Sequence, residues 1–271
     1  MNIKYRLAAT FLPILLSAMA AQAAASPRCE VASGPRTAAL VELYSSEGCS
    51  SCPPADQRLN ALRKETGAAG LVVPLALHVT YWDRIGWTDP LAQAPFDARQ
   101  AELLRDQRQH VAYTPQFFVG GREVRGWDAQ LPAAITRINA TPAAVNLRLS
   151  AMPGQDGKLQ LDAHAVAVDG HTGGQLYLAV SESGIVSQVL RGENRGATLR
   201  HDAAVRLWLG PVPLVQGRAS LRREVSLPPG WHQDRLQAVA FVQQAGGSTI
   251  LQAVGMVPCA PEAARVVAGG S

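Results

Sequence analysis

Past its first 25 residues this chain has no apolar run long enough to cross a bilayer, so no membrane-spanning helix is expected in the remainder. It has no Lys/Arg cluster either. The formal charge of +4 drops to +2 once Lys4 and Arg6 are set aside, and nothing in the charge pattern calls for nucleic acid or an anionic surface as a partner. Internal repeats and low-complexity tracts are missing, which removes repeat architectures from consideration. Cysteine is scarce: Cys29, Cys49, Cys52 and Cys259 are the full set.

The first 25 residues read as an address label. Lys4 and Arg6 precede a mostly apolar stretch from Leu7 to Ala21, interrupted by Pro13, and Ala21-Gln22-Ala23 supplies a small-x-small cleavage pattern. We read residues 1–25 as a cleaved secretory signal, the alternative being an uncleaved anchor. The expected mature protein is periplasmic or secreted, with no stable membrane insertion after cleavage. Export matters for the cysteines, because an even number in such a compartment permits disulfides. A mature chain of roughly 245 residues is large for one core, so two domains are expected.

The two halves follow different patterns. In the first, "AALVELY" (38–44) is a buried strand candidate. Residues 54–65 have Leu59 and Leu62 on one helical face, and "LVVPLALHV" (71–79) is a second apolar strand in which Pro74 must sit at an edge or bulge. A polar helix over 95–109, a Gly120-Gly121 hairpin and a helix capped by Asp128 and ending near Asn139 complete it. The order strand, helix, strand, helix, strand, strand, helix predicts an α/β thioredoxin-like domain, a mixed four-stranded sheet with flanking helices, over 26–140. The second half carries short stretches such as "VNLRLSA", "QLYLAVSE" and "LQAVAFVQQ", separated by Gly, Pro and Asp clusters. They predict an all-β antiparallel sandwich over 141–262, with a loose tail at 263–271.

Cys49-x-x-Cys52 follows the first strand and opens the first helix. A thiolate performs disulfide exchange, and a helix N-terminus holds negative charge on Cys49 through its unpaired N–H groups and dipole. Cys52 is spaced to resolve the intermediate. Thr114-Pro115 lies about 60 residues further on, just before a hairpin, where a cis proline would turn the Thr114 backbone toward an extended substrate. Tyr81 and Trp82 are candidates for an apolar lip beside Cys49; Trp87 has the same option, and a small aromatic cluster packing the loop is the alternative. A metal reading also fits: Cys49, Cys52 and His78 form a soft set suited to Cu(I), the alternative for His78 being a strand-end histidine bonded to backbone; a Zn site would need a fourth ligand, and His110 is the only other histidine of this half. An inert staple is the third reading, and such a small loop restricts the unfolded chain little. No cofactor is required by the redox reading. Cys29 and Cys259 lie near opposite ends; we expect a structural disulfide between them, the alternative being free thiols, and such a bridge would contribute about 4–5 kcal/mol less any strain.

Four segments, "VELYSSEGCSSCPPAD" (41–56), "LALHVTYWDRIGWTDP" (75–90), "YTPQFFVGGR" (113–122) and "GENRGATLRHDAAVR" (192–206), give the chain a resemblance to a family of exported bacterial proteins known as domain of unknown function 1223. The resemblance implies a thioredoxin-like fold and a thiol–disulfide site. The family pattern has aspartate after the His-Val pair where this chain has Thr80, with Asp83 either a substitute or a loop cap. In the last segment Glu193, His201 and Arg206 are read as surface hydrogen-bonding groups or as docking contacts to the first half. The function expected is an exported thiol–disulfide oxidoreductase acting on protein or peptide thiols and disulfides, with Cys49 attacking, Cys52 resolving and an unidentified redox partner. The alternative is a non-catalytic Cu(I)-binding protein.

Overall fold

The computed structural model describes residues 29–65, 71–154, 157–168 and 173–258; the expected signal segment, Cys259 and the tail lie outside them. The first half runs β1 (Glu30–Ala32), β2 (Ala39–Ser45), α1 (Pro53–Glu65), β3 (Val72–His78), α2 (Ala94–Asp106), β4 (Gln116–Val119), β5 (Arg122–Glu123) and α3 (Trp127–Asn139). The second half is all strand apart from one short turn of 3-10 helix: β6 (Val145–Pro153), β7 (Lys158–Ala167), β8 (Gly174–Glu182), β9 (Ile185–Gln188), β10 (Thr198–His201), β11 (Ala204–Pro213), β12 (Arg218–Ser226), β13 (Leu236–Gln244) and β14 (Ile250–Met256).

Local sequence accounts for these elements. Pro53 and Pro54 occupy the first turn of α1, where a missing N–H costs little, and Ala55, Leu59 and Leu62 form its inward stripe. Every residue of β2 is buried, as expected for a strand covered on both faces. On β6 and β7 burial alternates, so only one face of each meets a core. Asp128 is not a cap: α3 begins at Trp127, with Gly126 at its N-cap in the left-handed region (φ 59°).

The expected fold class is corrected by the sheet topology. Among the described residues the fold is β-rich, with 45% strand, 19% helix and three helices, in place of a four-stranded α/β thioredoxin core followed by a separate sandwich. Strands from both halves hydrogen-bond into one eight-stranded sheet, ordered β14-β13-β8-β11-β3-β2-β4-β5. The junction is a parallel bridge between Ala204 of β11 and Ala76 of β3, with Ala76 N–H donating to Ala203 O at 2.8 Å. Pro74, two residues earlier, has no N–H to offer, and the pairing with β11 begins only beyond it. In exchange, β1 crosses over and pairs with β6 in a four-stranded antiparallel sheet, β1-β6-β7-β12.

One face of the large sheet carries α1 and α3 over β2 and β4, and the four-stranded sheet over β8 and β13. The other face carries α2, packed through Phe96, Leu103 and Leu104 onto Leu40, Tyr44, Leu75, Tyr177 and Phe241. The sheet curls around this second core until its ends meet. Ile250 N–H on β14 donates to Gly120 O at the β4–β5 turn, 3.2 Å away. Gly121 (φ +83°) allows the approach, since a Cβ there would fall 1.6 Å from Ser248 O. Buried Gln252 ties β14 to the approach to β2, accepting from Ala38 N–H and donating to the carbonyls of Gly34 and Arg36.

A charge pair is sealed under α2. Arg99, 3% exposed, donates to both oxygens of Glu42 and to Gln243, and its guanidinium lies 5.4–5.8 Å from the ring centres of Tyr177, Trp208 and Phe241. Burial opposes its charge, but the Glu42 carboxylate beside it drives the pKa upward.

Candidate functional site

The turn between β2 and α1 holds the cysteine pair. Cys49 and Cys52 form a disulfide with Cα atoms 5.4 Å apart, directly before Pro53. Cys52 N–H donates to Cys49 O, and Ala55 and Asp56 N–H donate to Cys52 O, so the pair is continuous with the first turn of α1. The Ser51 hydroxyl lies 3.4 Å from Cys49 Sγ, close enough to hydrogen-bond to it. Ser50 and Ser51 reach solvent, while both cysteines are 0% exposed.

The loop joining β9 to β10 is hydrogen-bonded to the turn that carries the pair. Asn194 Nδ2 donates to the carbonyls of Glu47 and Cys49, both at 2.9 Å, and Ser50 N–H donates to Glu193 Oε2 at 3.0 Å. Hydrogen bonds from Ser50 hold the Glu193 carboxyl below its ordinary range. The loop is anchored against the β3–α2 connection as well, since a Cβ on Gly192 would sit 3.2 Å from Trp87 Cβ.

Beneath the disulfide is a buried polar cluster. Glu47 accepts from Trp87 Nε1 (2.8 Å) and is bonded to His201 Nε2 (3.2 Å), while its own N–H donates to Asp89 (2.8 Å). Asp89 is in turn paired with His78 Nδ1 at 2.7 Å and accepts from Leu91 N–H. The rings of His78 and His201 meet edge to face, 4.9 Å between centres. Asp56, on α1, completes the group: one ligand atom from each of Asp56, His78 and His201 lies within 4.8 Å of the others. Burial pulls the His78 imidazole down, but Asp89, Asp56 and Glu47 outweigh it and hold it at about 9. Burial also raises the Asp56 carboxyl against the pull of both histidines. Asp89 is disfavoured by burial, yet His78 holds it below the ordinary carboxylate range.

The residues proposed from sequence fall as follows. The Thr114–Pro115 peptide bond is cis. Tyr44 pairs with Gln116, so the β2–β4 register carried one residue further sets Pro115 opposite Ser45, where the chain departs toward Cys49. Tyr81 Oη donates to Gln100, and Gln100 donates to Tyr113 O, which ties Tyr81 and the Thr114–Pro115 segment to one side chain of α2. Trp82 packs beside the cysteine turn, where a Cβ on Gly48 would sit 3.5 Å from Trp82 Cβ. His78 keeps company with Asp56 and His201, while the sulfurs of Cys49 and Cys52 are bonded to each other. Thr80 donates its N–H and its hydroxyl to the carboxylate of Asp97 in the first turn of α2, and Asp83 accepts from Asp89 N–H as a loop cap. Glu193 and His201 both dock onto the first half, whereas Arg206 pairs with Glu182 and stacks on Trp231. Cys29 is disulfide-bonded; its expected partner, Cys259, lies outside the described residues.

Glu47, Asp56 and Asp89 escape the sequence reading. Each resembles something ordinary there: an acid in a turn, an acid in a helix's first turn, an acid before proline. The signal available was their spacing around Cys49-x-x-Cys52 and His78, since Asp56 lies one helical turn from Cys52.

The geometry therefore defines a β-rich protein with a sealed disulfide at a helix start and a buried His-carboxylate cluster behind it. The family model described as "Protein of unknown function (DUF1223)" matches residues 40–243, and the chain belongs to that family. No curated protein matches it. A crystal structure of a protein from Agrobacterium tumefaciens is similar at 24% identity, covering 85% of this chain and 98% of that one with a TM-score of 0.61. HBP35 of Porphyromonas gingivalis is similar at 16% identity, covering 84% and 79% with a TM-score of 0.64. At these identities the likeness concerns the fold alone.

Proposed function

We propose that Cys49 and Cys52 are the redox couple of an exported thiol–disulfide oxidoreductase whose partners are protein or peptide thiols and disulfides. The observation that carries this reading is the bonded pair at the start of α1, with the Ser51 hydroxyl beside Cys49 Sγ. When the S–S bond opens, a thiolate at Cys49 would gain the Ser51 hydrogen bond and the positive end of the helix dipole, both of which favour the charged form.

In the oxidised protein, a substrate thiolate attacks Cys49 Sγ, the Cys49–Cys52 bond breaks, and Cys52 leaves as a thiolate. A second substrate thiolate then attacks the substrate sulfur of the mixed disulfide and releases Cys49. Two electrons pass to the couple and the substrate gains one disulfide; the protons that the substrate thiols give up are matched by those that the Cys49 and Cys52 thiolates take up. Every step is reversible, so the direction follows from the potential of the couple against its compartment and from an unidentified redox partner. Thr114 and Pro115 offer backbone to an extended peptide, and Tyr81 and Trp82 offer apolar surface. Both cysteines are buried, and the Asn194 loop bonded to their turn is the element that would open for exchange.

A Cys52→Ala variant tests the reading. Its Cys49 thiolate should attack an oxidised peptide and stay trapped as a stoichiometric mixed disulfide, detected by mass and released by reductant. If no adduct forms and the wild-type protein fails to reduce insulin, the oxidoreductase reading is wrong.

A further inference from the structure

Three buried atoms in the cluster have no hydrogen-bond partner: His78 Nε2, His201 Nδ1 and Asp56 Oδ1. Each histidine's other nitrogen faces a carboxylate, His78 Nδ1 toward Asp89 and His201 Nε2 toward Glu47. A carboxylate only accepts, so each of those nitrogens carries the hydrogen, and in the neutral rings the remaining nitrogens present lone pairs. In their neutral forms His78 Nε2 and His201 Nδ1 bring two lone pairs to the place where Asp56 brings a carboxylate. The three unpartnered atoms share a space from which water is nearly excluded, at 1%, 2% and 7% exposure. A cation entering that space would take the place of any proton held there.

We propose that Asp56, His78 and His201 form a binding site for a divalent transition-metal ion of the Zn2+ class, with Glu47 and Asp89 as the outer carboxylates that orient the two imidazoles. Two imidazoles and one carboxylate are a donor set that such ions accept, with a fourth position for water. The carboxylate–histidine pairing, present on both rings, fixes tautomer and ring orientation and raises ligand basicity. Metal–ligand bonds of about 2.0–2.2 Å in a tetrahedron put ligand atoms roughly 3.3 Å apart. Separations within 4.8 Å close to that value by small side-chain shifts. Access exists too. A groove of about 430 Å³ between α1 and β10 is lined by Pro53, Asp56, Asn60 and Leu199, so Asp56 faces both the groove and the histidines. The proposal does not depend on disulfide chemistry, because it uses no cysteine sulfur.

The test uses the full-length protein, oxidised at Cys49–Cys52 and stripped with a chelator. Zn2+ is titrated in competition with a chromophoric chelator, and Co2+ is added separately to read visible d–d absorption. One ion should bind per chain, with the Co2+ spectrum of a four-coordinate N/O site. Asp56→Asn and His201→Ala should each weaken Zn2+ binding at least tenfold, and Asp89→Asn should weaken it by about 10–100-fold. A Cys49→Ser/Cys52→Ser protein should bind as the wild type does. An anomalous peak between the three side chains in Zn2+-soaked crystals supports the site without relying on any variant. The proposal is overturned if the wild-type protein binds no Zn2+ more tightly than Asp56→Asn/His201→Ala does. That outcome would mean the lone pairs are held by protons or water alone. It is equally overturned if binding disappears with the cysteines.

Discussion

Both cysteines are buried and the β9–β10 loop is bonded to their turn, so a gate at this loop makes Asn194 a quantitative handle on reactivity. Its Nδ2 donates to two carbonyls, those of Glu47 and Cys49, at 2.9 Å each. Asn194→Ala removes both bonds without touching a cysteine or any of the histidines. At a net worth of about 0.5–1.5 kcal/mol per bond, the closed loop loses about 1–3 kcal/mol. Every 1.4 kcal/mol is a factor of ten, so the open fraction should rise roughly 5- to 150-fold.

Since neither sulfur is exposed in the closed form, reduction by a small dithiol must proceed through the open one, and its observed rate is the opening constant multiplied by the intrinsic rate. Pseudo-first-order reduction of the Cys49–Cys52 bond, quenched by alkylation and read by mass, reports that product directly. Thr198→Ala is the control: Thr198 is exposed on β10 and bonds to Gln188, so its loss perturbs the same hairpin without unlatching the cysteine turn. The expected outcome is a 5- to 150-fold acceleration for Asn194→Ala and wild-type behaviour for Thr198→Ala. Reduction of Asn194→Ala within twofold of the wild-type rate would show that attack does not wait for this loop, and the gating argument would fail.

Two further substitutions probe the frame around the site. Arg99→Met leaves Glu42 charged and unpaired in the core under α2, so unfolding free energy from urea titration should fall by about 3–5 kcal/mol, with part of the loss restored in Glu42→Gln/Arg99→Met; a loss below about 1 kcal/mol would contradict this account. Burial raises the Glu123 carboxyl, but hydrogen bonds from Tyr113, Gln116 and Arg125 outweigh it and hold its pKa below the ordinary 4.5. A depressed folded pKa contributes stability that is present above the unfolded value and is lost as pH falls through the folded one. Tyr113→Phe should therefore be less stable than wild type at neutral pH, and the two should converge in acid once Glu123 is protonated in both; an offset that persists unchanged in acid would refute the link.

How far the sequence reaches is set by the range of each signal. The α1, β3, α2 and hairpin segments were legible to within a few residues because hydrophobic period, proline and glycine act locally. Strand partnership is not local, and the expected fold class failed on it. A clue was nevertheless present: "QLYLAV" (175–180) and "LQAVAFV" (236–242) are nearly continuous apolar runs, the mark of strands covered on both faces, whereas an outward-facing sandwich strand alternates as β6 does. The site divides along the same line. Cys49-x-x-Cys52 was readable because its chemistry lies within four residues. The pairing of His78 with His201 was not, because it is made by the sheet junction that the sequence reading missed. Ala204 of β11 bridges Ala76 of β3. His201 ends the strand just before β11, and His78 ends β3, so joining those two strands brings the two imidazoles together. A chain whose halves kept separate sheets would have a cysteine pair but no buried cluster beneath it.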